Sequence, residues 1–159
     1  MLRDKNLIPL SRQHQHALAL CVRIERASPI PTDDLAAWQS EIAQQWEGEI
    51  AIHFTAEEQV LFPTARRFAE LSPLVEELLA DHAALRTSFA QAKANQLSGE
   101  EVVSFARTLS AHIRKEERQL FEELQKRIAP ETLADLGKRL DAALKDSVQA
   151  CALPRRNSV

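Results

Sequence analysis

The sequence predicts an all-α protein: an up-down-up-down four-helix bundle carrying a short fifth helix at its C-terminal end. Three observations lead there. The composition favours helix, with three Gly, no Tyr and abundant Ala, Leu, Glu, Gln and Arg. Apolar residues recur at helical spacing in four long segments separated by short breaks rich in Ser and Pro. Two of those segments carry the same pattern, H-x-x-x-E-E-x-x-L-F, opening at His53 and at His112. A chain of 159 residues with 45% hydrophobic content suits one domain with a sizeable core.

The elements follow in order. Residues 1–10 read as an extended lead-in ending at Pro9-Leu10. Ser11 is placed as an N-cap, and the first helix then runs to about Ala27 with the stripe Leu10, Ala17, Leu18, Cys21 and Ile24. His14 falls in that stripe. His16 lies about 200° around the helix from it, sharing a face with Arg12 and Arg23, and is expected to point outward. Ser28-Pro29-Ile30-Pro31 ends this helix, and Thr32 with Asp33 and Asp34 starts the next. The second stripe is Ile42, Trp46, Ile50, His53, Glu57, Val60 and Leu61, until Pro63 either ends the helix or kinks it, with Thr64 to Glu70 as its continuation. Ser72-Pro73 opens the third helix, which runs to about Gln96 with Val75, Leu78, Leu79, His82, Leu85 and Phe89 on one face. Ser98 and Glu101 form a capping box for the fourth helix, whose stripe is Val102, Phe105, Leu109, His112, Ile113, Glu116, Leu120 and Leu124. Ala129-Pro130 breaks it at about Ile128. A short fifth helix, about 131–144, offers Leu133, Leu136 and Leu140 to the bundle. Residues 1–145 form the expected domain and 146–159 a flexible tail.

Bulk properties remove several functions. A net charge of -3 leaves no basic footprint for nucleic acid or an anionic membrane. No apolar run is long enough to span a bilayer, and the N-terminus lacks the apolar core of a secretion signal. Cys21 and Cys151 are far apart and fit two free thiols in a reducing cytoplasm. Without Tyr there can be no tyrosyl radical. Nothing in the sequence assigns an oligomeric state.

The chemistry-bearing residues lie on the apolar stripes. Four of the five histidines, His14, His53, His82 and His112, fall there, one per main helix. Two of them are followed at i+4, on the same face, by Glu57 and Glu116. A single histidine on such a face is more often a hydrogen-bonded core residue than a ligand. Four, with two carboxylates in repeated register, reverse that balance, because a buried carboxylate is costly unless paired or metal-bound. Rise along the helices makes the four levels compatible only to within about two turns, which permits a shared site. Imidazole and carboxylate suit iron, manganese or zinc. Six ligands exceed one tetrahedral zinc and divide into two ions, each with two histidines, bridged by two glutamates. Glu58, Glu117 and Asp81 are candidates to accept the outer N–H of a ligand histidine, with solvation as the plainer alternative.

The pattern H…HxxxE…H…HxxxE on four helices, with the opening Leu10-Ser11-Arg12-Gln13-His14, resembles the hemerythrin HHE cation-binding domain family over about residues 7–128. A ferritin-like protein would instead carry Glu-x-x-His pairs, and this chain has none. The resemblance implies two non-haem iron ions, with His14, His53, His82 and His112 as terminal ligands and Glu57 and Glu116 as bridges. It implies small partners: oxygen, nitric oxide or peroxide. Oxygen-carrying hemerythrins place a further histidine where this chain has Arg86. The remaining set is closer to bacterial di-iron proteins of nitrosative stress and iron–sulfur repair, whose N-terminal cysteine-bearing segment this sequence lacks. For Arg86 the readings are a rim salt bridge to Glu or a contact to a bound anion or oxygen species. Three functions follow: a carrier or sensor of oxygen or nitric oxide, a di-iron oxidase or peroxidase, and a metal buffer or structural bundle.

Overall fold

The computed structural model describes the backbone of residues 2–152 and the side chains of residues 2–145. Within them the chain is all helical, with five helices and no strand. Helix α1 is Ile8–Ala27. Helix α2, residues 35–65, joins the α-helical stretches Leu35–Gln45, Ala51–Ala56 and Phe62–Ala65 through π-helical turns at Trp46–Ile50 and Glu57–Leu61. Helix α3 is Ser72–Lys93. Helix α4, residues 99–127, joins Gly99–Lys115 and Phe121–Arg127 through a π-helical turn at Glu116–Leu120, and α5 is Pro130–Ala152.

Several expected boundaries move, each for a local reason. Helix α1 starts at Ile8, with Pro9 in its first turn, where a missing N–H costs nothing. Ser11 is therefore not a cap; its backbone N–H already bonds the Leu7 carbonyl, and burial of Leu7 and Leu10 pulls the start forward. Leu20, not Leu18, joins Leu10 as a buried leucine of this helix, Leu18 packing at the margin. Pro63 does not end α2, because the π turn before it closes on Phe62 and leaves Pro63 in the first turn of a new α-helical stretch. A 3-10 turn at Ala69–Leu71 leads into α3, so Ser72 is its first residue and not its cap. That helix stops at Lys93 because Asn95 takes φ 58°, a conformation Asn tolerates. The Gln96 and Asn95 N–H groups then bond back to Gln91 and Ala92. Buried Gln39 ties this turn to α2, donating to Asn95 Oδ1 at 2.8 Å and accepting from the Leu97 N–H at 2.7 Å. The capping box of Ser98 and Glu101 forms as expected.

The fifth helix is longer than expected: nothing between 145 and 152 breaks it, and the next proline is Pro154. Its Leu133, Leu136, Leu140 and Leu144 are buried. Gly137 allows the close approach, since a Cβ there would lie 2.5 Å from Asn6 Oδ1. The expected tail beyond 152 lies outside the described residues, as do the side chains from 146.

Helix α1 packs on α4, α2 on α3 and α5, and α3 on α4. The buried apolar side chains form two clusters. One contains Leu10, Leu61, Leu78 and Leu120; the other contains Ala17, Phe54, Leu85 and Leu109. Helices α1 and α3 run from the first cluster to the second, and α2 and α4 run from the second to the first. At the crossing point each helix carries polar residues, and these make the site.

Candidate metal centre

The structure brings all six predicted residues together between the two apolar clusters. His14, His53, Glu57, His82, His112 and Glu116 are each at most 4% exposed. They form two groups sharing both glutamates: His14, His53, Glu57 and Glu116, and Glu57, His82, His112 and Glu116. Within each group one ligand-type atom per residue lies within 4.8 Å of every other.

Both carboxylates are split between the groups. Glu57 Oε1 lies 2.9 Å from His53 Nε2 and 3.7 Å from His14 Nε2, while its Oε2 lies 3.3 Å from His82 Nε2. Glu116 Oε2 lies 3.1 Å from His14 Nε2, and its Oε1 lies 3.4 Å from His112 Nε2. The i+4 spacing on α2 and α4 makes the His53–Glu57 and His112–Glu116 pairs, and the antiphase register of the helices supplies the rest.

The outer nitrogens fix the tautomers. His14 Nδ1 donates to Glu117 Oε1 at 2.7 Å, His53 Nδ1 to Gln13 Oε1 at 2.7 Å and His82 Nδ1 to Glu58 Oε1 at 2.8 Å; His112 Nδ1 makes a longer contact, 3.4 Å, with Asp81 Oδ2. With Nδ1 protonated, each neutral ring turns a lone pair on Nε2 inward. His14 and His53 thereby face one another, Nε2 to Nε2, at 3.0 Å. Both oxygens of Glu57 and of Glu116, with Nε2 of His82 and of His112, are buried with no hydrogen-bond partner.

Two buried carboxylates and converging lone pairs are unfavourable unless positive charge sits among them. Protons on the imidazoles would supply it. Burial alone would lower the His14 pKa, but the carboxylates of Glu116, Glu117 and Glu57 raise it well above the ordinary imidazole value. Burial would likewise lower His82; Glu57, Glu116 and Glu58 outweigh it and raise it. Burial would raise Glu57, yet the charge of His53 and the contacts of His14, His53 and His82 hold it well below the usual carboxylate range. A cation placed among the same atoms would do what those protons do, so the residues present fit a metal.

Around this cluster lies a ring of charge pairs. Glu58 accepts from Arg86 Nη1 at 2.7 Å, Glu117 from Arg3 Nη2 at 2.7 Å and Asp81 from Lys115 Nζ at 2.9 Å. The His112 contact, against the opposing effect of burial and helped by Lys115, brings the Asp81 carboxyl down to about 2. Arg86 thus makes the rim salt bridge, and its guanidinium lies 5.5 Å above the Phe54 ring centroid. Glu58, Glu117 and Asp81 do contact ligand-type histidines, each on another helix. Phe54 lies flat on His82, with centroids 3.7 Å apart, and Phe121 stacks on His14 at 5.6 Å. His16 points away as expected, its side chain 63% exposed and paired with Glu49. Cys21 is free and buried, its thiol pushed up to about 11 chiefly by burial.

Sequence reasoning missed three contributors. Gln13 holds His53, Ser11 Oγ donates to Glu117 Oε1 at 2.7 Å, and Arg3 reaches Glu117 from the lead-in. The available signal was that Ser11 and Gln13 are polar residues flanking the stripe beside His14.

The site defines the class: a helical protein with a closed histidine–carboxylate cluster able to hold metal cations. Comparison with protein families gives the particular group. Residues 9–124 match the hemerythrin HHE cation binding domain, and the chain belongs to that family. Comparisons with curated proteins and with solved structures return no match. No described helix is long and apolar enough to cross a membrane.

Proposed function

We propose that residues 1–145 form one up-down-up-down four-helix domain that holds two iron ions and binds or senses oxygen or nitric oxide. The alternating direction in which α1 to α4 cross between the apolar clusters supports the topology. One observation carries the metal reading: each glutamate directs one oxygen to each histidine pair, the arrangement of two carboxylates shared by two ions. In this reading His14 and His53 would hold one ion and His82 and His112 the other, with Glu57 and Glu116 shared between them.

Bound ferrous ions supply open coordination positions and electrons to a small ligand. The chain's own residues do the rest. The four Nδ1–H contacts orient the rings and fix their tautomers. Phe54 and Phe121 exclude water from the rings they cover. A cavity of about 10 Å³ beside Gln13, His14, His53, Phe54 and His112 has room for one water-sized guest, which suits a diatomic molecule over an organic substrate.

The test is to load the protein with ferrous iron under anaerobic conditions, measure iron per chain, and record absorption before and after oxygen or nitric oxide. About two irons and a reversible spectral change are expected. One tightly held zinc with no spectral response would refute the reading, and sustained turnover of oxygen or peroxide with a reductant would replace it by an oxidase or peroxidase.

A further inference from the structure

The four outer nitrogens are not equivalently served. His14, His82 and His112 each face a carboxylate, Glu117, Glu58 and Asp81. His53 faces Gln13 Oε1, a neutral amide, at 2.7 Å. The three carboxylates are anchored in turn by Arg3, Arg86 and Lys115. An imidazole whose outer N–H points at a carboxylate is a stronger donor to a cation than one facing an amide, and changing such a partner moves metal affinity about 10–100-fold.

We propose that Gln13 makes the two metal positions unequal, so that the ion held by His14 and His53 leaves more readily than the one held by His82 and His112. The inference rests on the two-iron reading above. The 3.4 Å contact of His112 with Asp81 is long. It still sets a full negative charge beside that ring, whereas the ring of His53 has only the amide. Gln13 is half-buried on α1 and is a positioning residue: it acts on the ion through His53.

Wild type, Gln13→Glu and Gln13→Leu are loaded anaerobically with ferrous iron, iron per chain is measured, and its release to a ferrous chelator is followed by absorbance. Wild type should release two ions in two phases of equal amplitude. Gln13→Glu should slow the fast phase about tenfold, Gln13→Leu should speed it, and the slow phase should hold in both. Asp81→Asn should speed the slow phase, which assigns it to the His82–His112 half. Structural damage accelerates release, so a slower fast phase is a result that damage does not produce. If Gln13→Glu fails to fold by circular dichroism, Gln13→Leu decides the matter, because damage would speed both phases and loss of the amide only the fast one. Two ions leaving wild type in one phase, or a fast phase unmoved by the variants, would overturn the inequality and leave the two-iron reading standing. Fewer than two ions bound by wild type would overturn both.

Discussion

Replacing Glu57 by Ala should cost the protein both ions, not one. Glu57 offers one oxygen to the His14–His53 pair and the other to His82, so its loss removes one of four donor residues from each group. Four-ligand structural zinc sites in zinc-finger peptides bind with about 10–16 kcal/mol, or about 3 kcal/mol per donor, and on that scale binding weakens about 100-fold in each half. At a free metal concentration about 100 times the wild-type Kd, each half loses about 2.3 kcal/mol of stabilisation by linkage. Two halves then remove about 5 kcal/mol, and in a domain of this size that lowers the Tm of the loaded protein by about 10–20 °C. The assay pairs elemental analysis after gel filtration with thermal unfolding in the presence of iron and of a chelator. Wild type should unfold far higher with iron than with chelator; for Glu57→Ala the two temperatures should lie within about 2–3 °C. Retention of one ion per chain at full occupancy would refute the shared-carboxylate geometry, because it would mean that Glu57 serves one half only.

The remaining predictions concern the register of α1, the buried thiol and the fifth helix. His14→Ala should strip metal, while His16→Ala should leave metal content unchanged, because His16 is exposed and bonds only Glu49 among its described partners; elemental analysis of both variants checks this. In a Cys151→Ser background, Cys21 should resist a disulfide-exchange reagent at pH 8 in the folded protein and react at once in denaturant. With its pKa at about 11, roughly 0.1% of the thiol is ionised at that pH, and the group is buried besides. Gly137→Ala should destabilise by about 1 kcal/mol in denaturant unfolding. The overpacking against Asn6, about 1–3 kcal/mol, exceeds the gain of about 1 kcal/mol in helix propensity, and a stabilised variant would mean that Asn6 moves aside freely.

What could be read from the sequence followed from how local the signal is. The six site residues were legible because a helix turns i and i+4 to one face and because that face was otherwise apolar. The Ser98–Glu101 box was legible because its reciprocal bonds close within four residues. Ser11 and Ser72 carry the same local signal and are not caps, since burial of Leu7 and Leu10 and the turn at Ala69–Leu71 set those helix starts. The contacts around the histidines were the hardest to place. Glu58 serves His82 on α3, Glu117 serves His14 on α1, and Gln13 serves His53 on α2. Each pairing depends on the rotation of one helix against another, which no single helix encodes.

The repeat H-x-x-x-E-E-x-x-L-F has a structural meaning that the i+4 rule alone does not supply. Both copies leave the regular α-helix in the same way. A π-helical turn begins at the glutamate and closes when the phenylalanine N–H bonds the glutamate carbonyl, Phe62 to Glu57 and Phe121 to Glu116. The carboxylate enters the polar layer, while Leu61 and Leu120 are buried at 0% exposure. The second glutamate of each pair is left at the margin of the layer, where it meets a histidine of another helix and a cation from the rim. Ten residues thus place one candidate ligand pair, one outer partner and one buried leucine, and two such segments on α2 and α4 supply four of the six site residues.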